Sequence, residues 1–522
     1  MKKNILLFGF ILTTVSLSAQ VNSFNTLRLG QNPYVSSAAM FSQTFYEGSA
    51  RTAAMGNAFI SLGGDIGALA INPASSGIYR YSEFSLTPSI TLDSYTADYL
   101  DESIIQRASK FSIPSVGYVG NLSSVKRGGT SSLKFGFAIN RINNLNSRFT
   151  ARGTTDGSSW LGAVASATNG ILPSEIELNS PTDKQPFYSG IPWKNILAWD
   201  TYLIDLLPGT SDEYVGATEN IDGDLISIGG PLDQRFTRET TGSQTEFLVN
   251  LGGNIGSKLF IGANIGIQTL TYTDIQEYKE QANSSGDFQT GFQHLNYYYW
   301  QNTNGVGLNA KLGMIFVPVK GLRIGATLTT PTFMSITEQW EEEVSSSFDD
   351  GNKYSSVSPT GEYSYAMISP LKLGAGISYV FGNFAIISAD IEGVSYNTAR
   401  LSKTEDGIDV FSNENDNIKE EFRFGKNLRI GAEVKPVKSL ALRAGYSYYQ
   451  SAEKNNPNDF RFISAGIGFI SSSGFFADFT LQHRLVNEEK LKLYENYAGI
   501  SSPEGVLRNS SNKLLVTLGF RF

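Results

Sequence analysis

Side chains able to do covalent or acid–base chemistry are scarce in this chain. Cysteine is absent, which removes thiolate nucleophiles, disulfides and thiolate metal sites from consideration. The two histidines, His294 and His483, lie far apart and match no nucleophile motif. Asp222-Gly-Asp224 is too short for a calcium loop and reads as a solvated turn. No catalytic residue, metal or cofactor is expected, and the chain does not read as an enzyme. What remains is recognition by charge and by apolar surface. Lys311, Arg323, Lys372, Arg429 and Arg443 each occupy the polar side of a segment whose other side is apolar. Guanidinium groups in such positions suit bidentate binding of a carboxylate. The alternative for each is pairing with Glu246, Asp390, Glu392 or Glu433 to fill an interior. A second group is apolar: Trp193, Ile196, Leu197, Trp199, Leu203 and Ile204 recur at helical spacing inside a long stretch of otherwise irregular sequence. Such a helix either packs over neighbouring structure or offers a landing site for a hydrophobic compound.

The elements that must position these residues alternate with period two. Leu514, Val516, Leu518, Phe520 and Phe522 oppose Leu515, Thr517, Gly519 and Arg521. Leu428, Ile430, Ala432 and Val434 oppose Arg429, Gly431, Glu433 and Lys435, and the same pattern recurs at 306–316, 322–328, 371–379 and 440–448. Alternation of this kind puts one face against lipid and the other against a lumen. About fourteen such segments lie between residues 81 and 522. Short connections at Ser123–Thr130, Gly256, Val319–Lys320, Gly382, Pro436–Val437 and Ser472–Ser473 alternate with long ones at 93–110, 144–240, 276–302, 341–359, 402–417, 451–459 and 486–511. Short turns on one side and longer loops on the other are the pattern of outer-membrane barrels. The fold class expected is therefore all-β, an antiparallel transmembrane barrel of about 14 strands at 81–522, with a long external loop at 144–240 and both chain ends on the periplasmic side.

Composition agrees. The chain has 52 Gly, 33 Phe and 25 Tyr but only 17% charged residues, below the usual quarter. Lys2 and Lys3, the apolar run Ile5–Val15 and the small residues Ser16–Ala19 read as a signal peptide at 1–19, cleaved near Ala19. Its apolar core is too short to span a bilayer. Loss of Lys2 and Lys3 would take the net charge of −8 further negative, which argues against nucleic acid as a partner. The expected destination is the outer membrane of a Gram-negative cell, with the terminal strand ending in Phe522 presented to the outer-membrane assembly machinery and the protein working as a monomer among outer-membrane lipids.

Residues 20–80 precede the first strand and are rich in small and apolar side chains, so they are expected to form a hatch, or plug, inside the lumen. Here the sequence resembles a known family. Arg51-Thr-Ala-Ala-Met-Gly-Asn-Ala-Phe59, followed by Gly64-Asp65 and then Asn72-Pro73-Ala74 just before the first strand, is similar to the hatch of the outer-membrane long-chain fatty-acid transporters of the FadL type and their hydrocarbon-transporting relatives. Gly321–Thr327, Leu428–Pro436 and Leu440–Tyr448 look similar to the family's wall strands. The resemblance implies a fourteen-stranded barrel closed by an N-terminal hatch, with Asp65, Asn72, Pro73 and Ala74 as its motif. It also implies capture by external loops and sideways release through a wall opening near a kinked third strand, for which Gly136 is the candidate kink.

The function expected is passive uptake of a hydrophobic or amphiphilic small molecule, a long-chain fatty acid or a related lipid or hydrocarbon. The alternatives are a structural or adhesive barrel acting through its external loops, and a general porin, which would need no apolar plug.

Overall fold

The computed structural model describes residues 26–27, 34–124, 131–178, 185–405, 408–455 and 458–522. The signal peptide read at 1–19 lies outside them.

Before the wall come two short helices, α1 (Tyr34–Ser42) and α2 (Ala50–Ala54). Fourteen wall strands follow. They are β1 (Glu83–Tyr99), β2 (Glu102–Ser124), β3 in two pieces (Ser131–Asn144 and Ser147–Thr155), β4 (Leu232–Ile255), β5 (Leu259–Ala282) and β6 (Phe292–Phe316). Next are β7 (Leu322–Thr329 and Phe333–Phe348), β8 (Gly361–Ile368 and Lys372–Phe381), β9 (Ala385–Ser395, resumed at Arg400–Ser402) and β10 (Phe424–Val437). The last are β11 (Leu440–Tyr449), β12 (Phe460–Ile470), β13 (Phe475–Lys492) and β14 (Glu504–Arg521). All neighbours in the wall are antiparallel, and β1 pairs with β2 on one side and β14 on the other, so the sheet closes on itself.

Closure explains how an apolar outside is tolerated. Near the end that carries the tight turns, outward side chains are large and apolar on every strand, for example Ile90, Phe137, Ile265, Leu308, Ile377, Ile430, Ile463 and Leu518. Backbone ladders to both neighbouring strands run through the belt, which is the condition for a spanning structure. No described helix is long and apolar enough to cross a membrane.

Beyond this belt the strands continue, and here the expected loop boundaries shift. Residues 93–110 form a hairpin whose turn is Leu100–Asp101, with Leu100 at φ +50°. The pairing of β5 with β6 runs up to Gln281 and His294, and β13 with β14 up to Lys492 and Glu504. The long loop is 156–231 rather than 144–240, because Ser147–Thr155 belongs to β3 and Leu232 opens β4. These extensions carry polar residues on both faces, so they lack the alternating signature of the belt.

The loop 156–231 folds into a cap over this end. Helices α3 (Trp160–Thr168), α4 (Pro173–Ile176) and α5 (Trp193–Asp200) bury Trp160, Leu161, Val164, Ile176, Ile196 and Leu197, and Leu203 just after α5 is buried with them. They pack against Tyr99, Phe236, Tyr278, Phe292, Tyr297 and Val344 of the strand extensions. The start of α3 is held by Glu280, which accepts from the Trp160 amide at 2.8 Å and from Ser159 Oγ at 2.7 Å; a carboxylate at a helix N-terminus satisfies otherwise orphaned donors.

Residues 34–78 occupy the lumen. Backbone at Thr26–Leu27 pairs in parallel with Lys490–Leu491 near the loop end, and the chain then descends to β1 at the turn end. Between Ser49 and Ile78 nearly every side chain is buried against inward-facing wall residues.

Candidate functional site

The luminal segment is built from local caps and then tied to the wall. Ser49 Oγ accepts from the Thr52 amide and Thr52 Oγ1 accepts from the Ser49 amide, each at 3.1 Å, the reciprocal arrangement that nucleates α2. Asp65 accepts from Ser49 Oγ at 2.6 Å and from the Gly67 amide at 2.9 Å, joining the two halves of the segment. Burial pushes the Asp65 carboxyl up, against the pull of Arg51. Asn72, with no exposed surface, accepts from the Ala74 amide at 2.9 Å. Its amide nitrogen donates to Ile60 O at 2.6 Å and reaches the carbonyls of Met314 on β6 and Ala326 on β7. This close approach requires glycine in the wall: a Cβ on Gly313 would sit 1.8 Å from Asn72 Oδ1, and one on Gly325 would sit 2.1 Å from Ile60 O. Pro73 opens a 3-10 turn, Pro73–Ile78, whose first carbonyl accepts from Asn250 Nδ2 at 2.9 Å. The four residues Asp65, Asn72, Pro73 and Ala74 are thus brought together as the fastening of the segment to itself and to β4, β6 and β7.

The cations singled out in the sequence are placed as follows. Lys311 Nζ donates to Glu246 at 2.6 Å and to Ala70 O at 2.9 Å. Arg429, completely buried, faces Glu392 at 3.1 Å. Arg443 donates to Glu433 at 2.7 Å, and Arg51 of the luminal segment shares that carboxylate at 3.1 Å. These three side chains are therefore corrected from ligand-binding cations to internal ion pairs: inward acids on adjacent or next-but-one strands meet them along the wall, and a buried charge keeps its nearest counter-charge. Lys372 donates to Thr44 Oγ1 of the luminal segment. Arg323 donates one N–H to Leu62 O at 2.6 Å and faces the turn end.

The apolar set at 193–204 also needs correction as an external capture surface. Ile196, Leu197, Leu203 and Ile204 are at most 2% exposed, inside the core of the cap. Trp193 packs against Phe187 and Trp340 and donates to Phe187 O, and Trp199 packs against Tyr214. Their helical spacing reflects packing onto the strand extensions.

Gly136 is not a kink. Its register runs unbroken between Val119 and Asn250. The third strand does break, further along. A bulge falls at Ile142, where the register against β4 shifts between Gln244 and Thr245, and β3 resumes only at Ser147. Pairing of β3 with β2 stops at Ser115 and Asn140; above that level no backbone ladder joins them among the described residues. Side chains alone cross this seam: Arg141 Nη2 donates to Ser112 Oγ at 2.8 Å, Lys110 to Asn146, and Thr150 Oγ1 to Gln106 at 3.1 Å.

Behind the seam lies a cavity of about 70 Å³. Phe45 of the luminal segment meets Tyr449 and Phe460 edge to face and Phe462 at a tilt, at ring separations of 4.9 to 6.0 Å, and these four rings form its apolar side. Asn144 and Asn146 at the break of β3, together with Thr91, Asp93, Arg484 and Lys513, form the polar side. Glu47 closes it, accepting from Arg141 Nε and from Lys513 Nζ, each at 2.6 Å. Burial alone would raise the Glu47 carboxyl, but the two cations hold it below the usual carboxylate range. Arg141 therefore ties the luminal segment and the seam together through one guanidinium. None of the aromatic residues of this cavity stood out in the sequence, because Phe45 lies far along the chain from the hairpin that carries Tyr449, Phe460 and Phe462.

No protein-family model matches the sequence, and no curated protein matches it. Solved structures do match. The P. putida toluene transporter TodX superposes over 92% of this chain and 99% of its own with a TM-score of 0.53 at 13% identity. A deletion mutant of the TodX monoaromatic hydrocarbon channel gives 0.52 over the same shares at 13% identity, and a Pseudomonas aeruginosa FadL homologue gives 0.51 over 92% and 98% at 12% identity. The chain has the fourteen-stranded barrel fold of the FadL-type hydrocarbon transporters.

Proposed function

We propose that this protein is an outer-membrane channel for passive uptake of a hydrophobic or amphiphilic small molecule, released sideways through the seam between β2 and β3. The observation that carries the reading is the four-ring cavity set directly behind the one stretch of described wall where β2 and β3 lack a backbone ladder. The apolar belt supports the membrane location, and the likeness to a toluene transporter and a FadL homologue supports the class of compound. Residues 34–78 act as the hatch. Their filling of the lumen disfavours a general porin, which needs an open aqueous channel.

The cavity as it stands holds about 70 Å³, whereas a dry cavity of roughly 150 Å³ accommodates benzene. Occupancy therefore requires the Phe45 side of the luminal segment to move, which links loading to release. With Lys311, Arg429 and Arg443 neutralised by acids, a monoaromatic compound fits the site better than a long-chain fatty acid. Arg484, whose buried Nε has no partner, is the cation that would meet a carboxylate if an amphiphile enters.

The test is calorimetric titration of the refolded protein in nanodiscs with toluene and with palmitate, alongside liposome swelling with small sugars. Saturable binding of either compound, weakened at least tenfold in Phe460→Ala/Phe462→Ala, is expected. Free passage of sugars without binding would establish the porin reading. Neither binding nor passage would leave a structural or adhesive barrel.

A further inference from the structure

The turn end of the barrel opens into a vestibule of about 1140 Å³. Its ceiling is the luminal segment at Leu62–Gly64 and Gly77–Arg80, and its sides are the turn-end residues of several strands. The charge in it is one-sided. Arg51, Lys435 and Arg443 line it but are matched by Glu433 and Asp478, and Arg521 is matched by Glu83 at 2.7 Å. Four more cations, Arg80, Lys320, Arg323 and Lys438, line the same space and make no ion pair with any described residue. Asp478 is the only acid among the described lining residues, in a chain whose net charge is −8.

Unmatched like charges around one concave space repel one another and concentrate a field that attracts anions. Arg51 and Arg80 both act on Arg323 with like charge. Arg323 is half-buried, lines the vestibule and spends one N–H of its planar guanidinium on Leu62 O. Such a planar group matches phosphate or carboxylate oxygens. The same bond has a second consequence. Arg323 holds Leu62 O and Arg51 holds Gly64 O at 3.3 Å, so two guanidinium groups pin the bend at Gly63 and Gly64, both at positive φ. An anion that engages them competes with those carbonyls.

We propose that the vestibule binds a multivalent phosphate or carboxylate anion, with Arg323 and Arg80 as central ligands and Lys320 and Lys438 at the rim, and that occupancy loosens the bend at Leu62–Gly64. The site does not depend on which hydrophobic compound the channel carries, so it stands or falls separately from the reading above.

Pyrophosphate and citrate are the probes, titrated by calorimetry into the full chain in phosphatidylcholine nanodiscs at low salt. Saturable binding is expected, at least tenfold weaker in Arg80→Gln/Arg323→Gln and at least threefold weaker in Arg80→Gln alone, a change at an exposed side chain. Arg148→Gln, at the loop end, should bind as the parent does. Addition of pyrophosphate should speed hydrogen exchange of the amides from Leu62 to Gly67. Absence of saturable binding, or binding unchanged in both Arg80 variants, overturns the site; binding without faster exchange overturns the coupling. Nanodiscs containing phosphatidylglycerol identify the source. Weaker apparent pyrophosphate binding there assigns the site to membrane headgroups, and unchanged binding assigns it to a soluble anion.

Discussion

Glu47 shows how much can hang on one luminal carboxylate. Removing one partner of a buried pair strands the other, at a cost on the order of 3–5 kcal/mol. Glu47→Gln leaves both Arg141 and Lys513 unmatched, so hydrogen exchange of amides 45–57 should rise at least tenfold at about pH 7, where the parent carboxylate is ionised. The pH dependence follows from the sign of the shift. The folded Glu47 is depressed below its ordinary value, so its contribution is complete above the ordinary glutamate range and is lost as the pH falls through the depressed one. Acidification should therefore bring the parent toward the variant, once exchange is corrected for its intrinsic rate. A difference between the two that persists unchanged into acid would contradict this account. Little of it was legible in the sequence. The candidate cations could be placed on inward faces by alternation, but their partners depend on register across strands. Arg443 and Glu433 stand opposite each other in one hairpin and could have been paired by inspection. Lys311 and Glu246 are bridged across β5 and could not.

At the scale of elements, the break in β3 separates a wall held by backbone from a wall held by side chains. Three side-chain hydrogen bonds, each worth roughly 0.5–1.5 kcal/mol net, are far easier to open than a continuous ladder. With no native cysteine, cysteines at Gln106 and Thr150, joined by a short bis-methanethiosulfonate reagent that loses a sulfinate at each end, would clamp the seam selectively. Clamped protein in liposomes should release a loaded hydrophobic compound into the bilayer at least tenfold more slowly, and cleavage of a reducible linker should restore the rate. Undiminished passage through the clamped barrel would move the exit elsewhere. Resemblance pointed to the third strand, but Gly136 was the wrong residue. An inward glycine in a strand signals close approach as readily as bending, and Leu69 packs against Gly136 from within. The real break is an extra residue in a polar stretch, Ile142 to Asn146, which leaves no compositional mark. The strand extensions were hidden for a similar reason: above the belt the buried inner face mixes Asp274, Gln276 and Glu280 with Tyr278 and Phe236, so alternation fades and hairpins such as 93–110 read as loops.

For the whole molecule, the decisive question is which exposed apolar residues face lipid. Ile265 on β5 is 62% exposed and Leu225 in the long loop is 64% exposed, so in water the two positions are equivalent. In a bilayer they are not. Ile265 sits within the apolar belt, seven residues into a strand that starts at the turn end, while Leu225 belongs to a hairpin at 219–228 in the cap. An arginine near the bilayer midplane costs about 2–4 kcal/mol and one outside it costs little. Ile265→Arg should therefore lower the free energy of urea unfolding in lipid vesicles by that order, and Leu225→Arg should leave it unchanged within about 0.5 kcal/mol. Equal effects would mean that the belt does not meet lipid. The large-scale fold was legible because this partition repeats on every strand: fourteen alternating segments and tight turns at one end leave few architectures other than a closed barrel. The cap was not legible as a cap, since a buried helix on strand extensions and an exposed greasy helix share one periodicity, and only the tertiary packing of Ile196, Leu197 and Leu203 against Tyr297 and Val344 tells them apart.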